Sequence, residues 1–140
     1  MMKKRIAIFG STGSIGTQAL EVIAANPDRF EVEILTAHSN DKLLIQQAKK
    51  FSPNAVVIVN ENKYAAVKEA LASTNVKVFS GENALEETAA FDTYDMMLAA
   101  IVGFAGLKST LRAIRSGKAI ALANKETLVV AGDVVMQLAV

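Results

Sequence analysis

Gly10, Gly13 and Gly16 recur at three-residue intervals in Gly10-Ser11-Thr12-Gly13-Ser14-Ile15-Gly16. The run lies directly after the apolar stretch Arg5-Ile6-Ala7-Ile8-Phe9 and directly before residues at helical spacing. A glycine-rich turn between a strand and a helix can cradle phosphate. One glycine permits the tight turn, one lets the backbone approach a pyrophosphate, and the last lets helix and strand pack closely. The helix start adds free N–H groups and a partial positive charge. Ser11, Thr12 and Ser14 add hydroxyl donors. Thr17, not Lys, follows Gly16, which separates the pattern from a Walker A loop. A glycine turn without a ligand is the plainer alternative.

Dinucleotide folds select NAD with an acid at the end of the second strand, about 20 residues on, where it meets the ribose 2′-hydroxyl. Here that place reads Thr36-Ala37-His38-Ser39-Asn40, with no acid until Asp41. His38, Ser39, Asn40 and Lys42 can instead donate to a 2′-phosphate, which points to NADP. Ser39-Asn40-Asp41 also reads as a helix cap, and both roles can coexist. Further on, Asn124-Lys125-Glu126-Thr127 follows the last strand-like run, Ala119 to Ala123. Ligands of this fold bind outside the carboxyl ends of the strands, so that tetrad faces the crevice. Glu126 equally suits the start of a helix. Lys125 suits an anionic or carbonyl substrate, or plain solvent. Gly103-Phe104-Ala105-Gly106 reads either as a tight strand-to-helix turn or as a cofactor contact.

These residues need a frame. Short apolar runs alternate with helix-period segments along the whole chain. Strands are expected over Arg5 to Phe9, Phe30 to Ala37, Ala55 to Val59, Val76 to Phe79, Met96 to Ile101 and Ala119 to Ala123. Between them, apolar residues at helical spacing mark helices. The markers are Ile15, Ala19, Val22 and Ile23; Leu44, Ala48 and Phe51; Tyr64, Val67 and Leu71; and Leu107, Leu111 and Ile114. A weaker helix covers Ala84 to Ala90, and Asn124 caps a last one bearing Ala131, Val134, Val135 and Leu138. Such alternation implies an α/β, Rossmann-like, doubly wound and mostly parallel sheet with helices on both faces. The chain stops at Val140 on that last helical face with no polar tail, which predicts the front end of a longer protein.

Composition narrows the function classes. The 140 residues carry 15 Lys plus Arg against 14 Asp plus Glu, a net charge of +1 that offers no footprint for nucleic acid or an anionic membrane. One His and no Cys exclude a zinc site in practice. The carboxylates Glu82, Glu86, Glu87, Asp92 and Asp95 form no convincing metal cluster, and Glu86 and Glu87 read as a solvated helix face. Mean hydropathy is +0.29, yet the longest uncharged apolar run, Met96 to Leu107, falls short of the roughly 18 residues a spanning helix needs. The N-terminus is too short in apolar residues for a signal peptide. A soluble, cytoplasmic protein of one domain is the expectation.

Three stretches together resemble the N-terminal domain of the 1-deoxy-D-xylulose 5-phosphate reductoisomerase family. They are the loop Gly10 to Gly16, the run from Met97 to Gly106, and Gly117 to Val130 running into Ala131-Gly132. The resemblance spans essentially all of residues 1–140 and implies an NADPH-binding domain of an enzyme of non-mevalonate isoprenoid synthesis. That enzyme rearranges a ketose phosphate and reduces the product to 2-C-methyl-D-erythritol 4-phosphate with a divalent metal, Mg or Mn. By the same resemblance, Thr12, Gly13, Ser14 and Ile15 hold the cofactor phosphates, and His38, Ser39 and Asn40 surround the adenosine ribose phosphate. Asn124 and Glu126 add cofactor contacts, Lys125 contacts the sugar-phosphate substrate, and a homodimer is implied. The family's metal ligands and most substrate contacts lie C-terminal to the matched residues. No catalytic residue falls in this chain, and it should be inactive by itself. One departure is that the family often has Gly then Lys or Arg before the Asn, where this chain has His38-Ser39. Another NADP-dependent sugar or aldehyde reductase and a non-catalytic nucleotide-sensing domain are the competing readings.

Overall fold

Strands that are apolar at consecutive positions can be buried only in a sheet covered on both faces. That arrangement is found in the computed structural model, which describes residues 3–101 and 103–122. The elements run β1 (Lys4–Phe9), α1 (Ser14–Ala25), β2 (Phe30–Ala37), α2 (Asp41–Phe51), β3 (Ala55–Ile58), α3 (Tyr64–Ala70), β4 (Lys77–Ser80), α4 (Glu82–Thr88), β5 (Met96–Ala99), α5 (Phe104–Arg115) and β6 (Ala119–Leu122). The sheet order is β4-β3-β2-β1-β5-β6, and each of these pairings is parallel. The order reverses between β1 and β5, which opens a crevice at their carboxyl ends.

Successive strand residues feed two separate cores. Ile6 and Ile8 pack with Leu20 and Ile23 of α1, Leu44 of α2 and Val67 of α3. Ala7 and Phe9 pack with Leu85 of α4, Ala89 just after it and Ala113 of α5. Each fully buried Leu or Ile contributes about 1.5–3 kcal/mol. In β2 the register slips, because Ile6 pairs with Val32 and Ala7 with Ile34. The extra residue, Glu33, is a bulge that sends Val32 to one core and Ile34 to the other.

At the amino edge of the sheet, Asp95 accepts from the Arg5 amide at 2.9 Å and from its guanidinium at 3.1 Å. Partial burial pushes the Asp95 carboxyl up. The Arg5 hydrogen bonds and charge outweigh this and hold it below the usual carboxylate range.

Differences from the sequence expectation are local. β3 stops at Ile58 and β5 at Ala99, short of Val59 and Ile101. The face of α5 is the larger correction. Leu107, Leu111 and Ile114 do lie on one helix, but at 54%, 42% and 53% they are exposed among the described residues, while Gly106, Ser109 and Ala113 are buried. The small face is inside because α5 presses on the loop before it: a Cβ on Gly106 would stand 2.2 Å from the Ile101 carbonyl oxygen. Val22 of α1 is likewise exposed. On the face read as solvated, Glu87 is exposed, and the half-buried Glu86 lies 3.6 Å from Lys108 and 3.8 Å from Arg112 of α5. No helix among the described residues is long and apolar enough to cross a membrane.

Candidate functional site

The glycine loop leaves β1 at the crevice and is held from two sides. Gly10 takes φ +96°, a left-handed conformation that L side chains rarely adopt. Its amide donates to Thr36 Oγ1 at 2.9 Å, and the Ser11 amide donates to the Thr36 carbonyl at 2.8 Å. Gly16 sits so close to the turn that a Cβ would lie 2.2 Å from the Gly10 carbonyl oxygen. Gly13 differs, because a Cβ there would meet only the Gly10 carbonyl oxygen, at 3.8 Å, so the space above it is open. Gly10 thus makes the tight turn, and Gly16 allows the close packing of helix on strand, that the spacing leads one to expect.

Ser11 overturns its expected role. It is fully buried, and its hydroxyl donates to Gln47 Oε1 at 2.7 Å, with the Thr36 carbonyl 3.2 Å away. The hydroxyl therefore faces the interior and cannot reach a phosphate outside the loop. Thr12 and Ile15 are half-buried, and Gly13 and Ser14 are exposed. Gly13 is the N-cap of α1, and no side chain caps that end or puts a carboxylate in its first turn. Its amides thus form an uncompensated donor site of the kind that receives anions.

At the end of β2, His38 is exposed and its Nδ1 lies 2.7 Å from Ser39 Oγ. Asn60 braces this corner. Its amide N–H donates to the His38 carbonyl at 2.7 Å, and its side-chain nitrogen donates to Ser39 Oγ at 3.3 Å. Asn40 caps α2 by accepting from the Leu43 amide at 3.2 Å, which leaves the cap to its carbonyl oxygen and the donors to the other end of its amide.

A cleft of about 210 Å³ joins these parts, lined by Gly10, Thr12, Gly13, Thr36, Ala37, His38, Val59, Glu82, Leu85, Ala100, Ile101 and Ala105. Ala105 makes the first turn of α5 a wall of this cleft, so Gly103-Phe104-Ala105-Gly106 is both a turn and a lining. His38, Val59 and Glu82 are shared with a wider, open trough of about 760 Å³ that also takes in Asn60, Glu61 and Ser80. The cleft thus runs from the glycine loop past the end of β2 to the ends of β3 and β4. Thr12, Gly13 and His38 line the cleft itself, with Ser14 and Ile15 adjoining them in the first turn of α1 and Ser39 and Asn40 in the loop after β2. Asn124, Lys125 and Glu126 lie outside the described residues, beyond β6, whose Leu122 pairs with Ala99 of β5.

Sequence reasoning missed Thr36, Gln47, Asn60 and Glu82. Two of them carried a signal. Thr36 interrupts the apolar end of its strand, Ile34-Leu35-Thr36-Ala37, and Gln47 falls on the stripe that Leu44, Ala48 and Phe51 mark as buried. Glu82 was weighed only as a metal ligand, yet the fold makes it a wall of the cleft. Among the described residues no group of His, Asp and Glu is placed to hold a metal ion.

Known proteins share this fold. A sequence model of the 1-deoxy-D-xylulose 5-phosphate reductoisomerase family matches residues 6–132. A 1-deoxy-D-xylulose 5-phosphate reductoisomerase of Bacteroides fragilis is 61% identical over 137 residues, which are 98% of this chain and 35% of the relative. The reductoisomerase of Zymomonas mobilis, solved in complex with NADPH, superposes with a TM-score of 0.83 at 44% identity, covering 97% of this chain and 36% of that one. A DOX-P reductoisomerase in complex with NADPH, fosmidomycin and magnesium superposes at 0.82 with 40% identity over 97% of this chain and 34% of its own. The chain thus spans about a third of the length of the relatives it matches.

Proposed function

The chain belongs to the 1-deoxy-D-xylulose 5-phosphate reductoisomerase family, and from that membership we propose that residues 1–140 are the NADPH-binding domain of such an enzyme. Its reaction is the conversion of 1-deoxy-D-xylulose 5-phosphate to 2-C-methyl-D-erythritol 4-phosphate in non-mevalonate isoprenoid synthesis. The observation that carries the reading is the uncapped start of α1, with open space over Gly13, set at the point where the strand order reverses.

In this reading Thr12, Gly13, Ser14 and Ile15 bind the pyrophosphate through backbone amides and the outward hydroxyls. His38, Ser39 and Asn40 bind the adenosine ribose phosphate, with Asn60 holding Ser39 in place. The carboxylate of Glu61 lines the far trough, and that of Glu82 stands where the trough and the cleft share a wall. They repel phosphate there and can accept from a ribose hydroxyl or an adenine amine. Asn124 and Glu126 add cofactor contacts and Lys125 contacts the sugar phosphate. When bound, NADPH supplies the hydride for the reduction. The divalent metal, Mg or Mn, belongs to the remaining two thirds of the enzyme, as do the catalytic residues. The working enzyme is a cytoplasmic homodimer, and residues 1–140 alone are inactive.

The test is ketose-phosphate-dependent oxidation of NADPH by the full-length polypeptide with Mg or Mn. Turnover that vanishes on removing the metal or the ketose phosphate supports the reading. NADPH binding without turnover would point instead to a nucleotide-sensing domain.

A further inference from the structure

We propose that Gln47, a residue that cannot touch the cofactor, positions the loop that does, and so sets the affinity for the pyrophosphate half of NADPH. The proposal rests on the cofactor reading above. Gln47 is only 7% exposed on α2, and a primary amide is costly to bury unless both its ends are satisfied. Both ends meet one residue. Its Oε1 accepts from the Ser11 hydroxyl at 2.7 Å, and its Nε2 donates to the Ser11 carbonyl at 2.9 Å. Packing of α2 on the sheet needs neither bond, since Leu44 and Ala48 already supply it.

Ser11 has no slack in which to move. Thr36 holds its amide from β2, and a Cβ on Gly16 would stand 2.7 Å from the Ser11 Cα. A shift of Ser11 is therefore passed directly to the start of α1, where the phosphate-binding amides lie. The helix that bears Gln47 also begins at Asn40, beside the ribose-phosphate corner. About two turns of α2 thus hold both halves of the site in one frame.

The experiment compares NADPH with adenosine 2′-monophosphate, which reaches only the ribose-phosphate corner. Dissociation constants are measured by calorimetry for the full-length protein and for Gln47→Leu, Gln47→Glu and Ser11→Ala, at a temperature where circular dichroism shows each folded. Gln47→Leu should weaken NADPH by about tenfold or more, with adenosine 2′-monophosphate within about twofold of wild type. Gln47→Glu keeps the acceptor but loses the donor to the Ser11 carbonyl and should weaken NADPH comparably. Ser11→Ala, which keeps the bond to that carbonyl, should cost about two- to threefold. Unchanged NADPH affinity in a folded Gln47→Leu, or equal weakening of both ligands, overturns the proposal. If Gln47→Leu does not fold, Gln47→Glu and Ser11→Ala decide by the same criterion. Wild type that fails to bind NADPH overturns the cofactor reading itself.

Discussion

The hydroxyl of Thr36 accepts the amide of Gly10 across the β1–β2 boundary at 2.9 Å, and the same residue's carbonyl accepts the amide of Ser11 at 2.8 Å. A single fully buried polar residue at the apolar end of β2 thereby fixes the first two residues of the glycine loop. Thr36→Val keeps the shape and strands the Gly10 amide. The expected cost is about 1–3 kcal/mol in urea unfolding, with NADPH affinity reduced at temperatures where the variant is folded. Unchanged stability and affinity would mean that Thr36 does not hold the loop.

Gly13 and Gly16 should separate binding from folding. Gly16→Ala puts a methyl 2.2 Å from a backbone oxygen, so β1 and α1 must part. A loss of about 2 kcal/mol or more, or failure to fold, is expected in thermal unfolding. Gly13→Ala meets nothing closer than 3.8 Å. It should unfold within about 1 kcal/mol of wild type and yet lose NADPH, because the methyl occupies the space assigned to the pyrophosphate.

Asp95 makes stability depend on acid. Its carboxyl lies below the usual range in the folded protein, so its contribution is present above the unfolded-chain value of about 4 and is lost as pH falls through the lower folded value. Urea midpoints of wild type and Asp95→Asn should therefore differ near pH 7 and converge as pH falls through the lowered folded-state value. A gap that persists at low pH would mean that the Arg5 pairing is not its source.

Ser39→Glu places a carboxylate in the corner that His38 and Asn60 form. It should repel a 2′-phosphate and accept from a 2′-hydroxyl, which erases a preference for NADPH over NADH. Calorimetric titration of the variant with both cofactors reads the ratio. An undiminished preference would remove Ser39 from the phosphate corner.

The alternation of strands and helices was legible because buried parallel strands are apolar at nearly every position and helices are not. The glycine loop was legible because each of its three glycines meets a separate steric demand. Helical periodicity shows which residues share a face but not which face turns inward, and α5 buries Gly106, Ser109 and Ala113 rather than its larger residues. The inward turn of Ser11 could not be read either, because its partner Gln47 is 36 residues away. The bulge at Glu33 leaves no mark in composition, since Val32 and Ile34 look like neighbours on one face until the register slips between them.

In the cofactor reading proposed above, this fold holds NADPH through the residues from Thr12 to Ile15 and the corner from His38 to Asn40. Calorimetric titration of the protein with NADPH and, separately, with NADH tests it most directly. Saturable binding of NADPH is expected, with NADH weaker by about tenfold or more because the 2′-phosphate contacts are lost. Equal binding of the two would contradict the role given to His38, Ser39 and Asn40, and no binding of either would contradict the site as a whole.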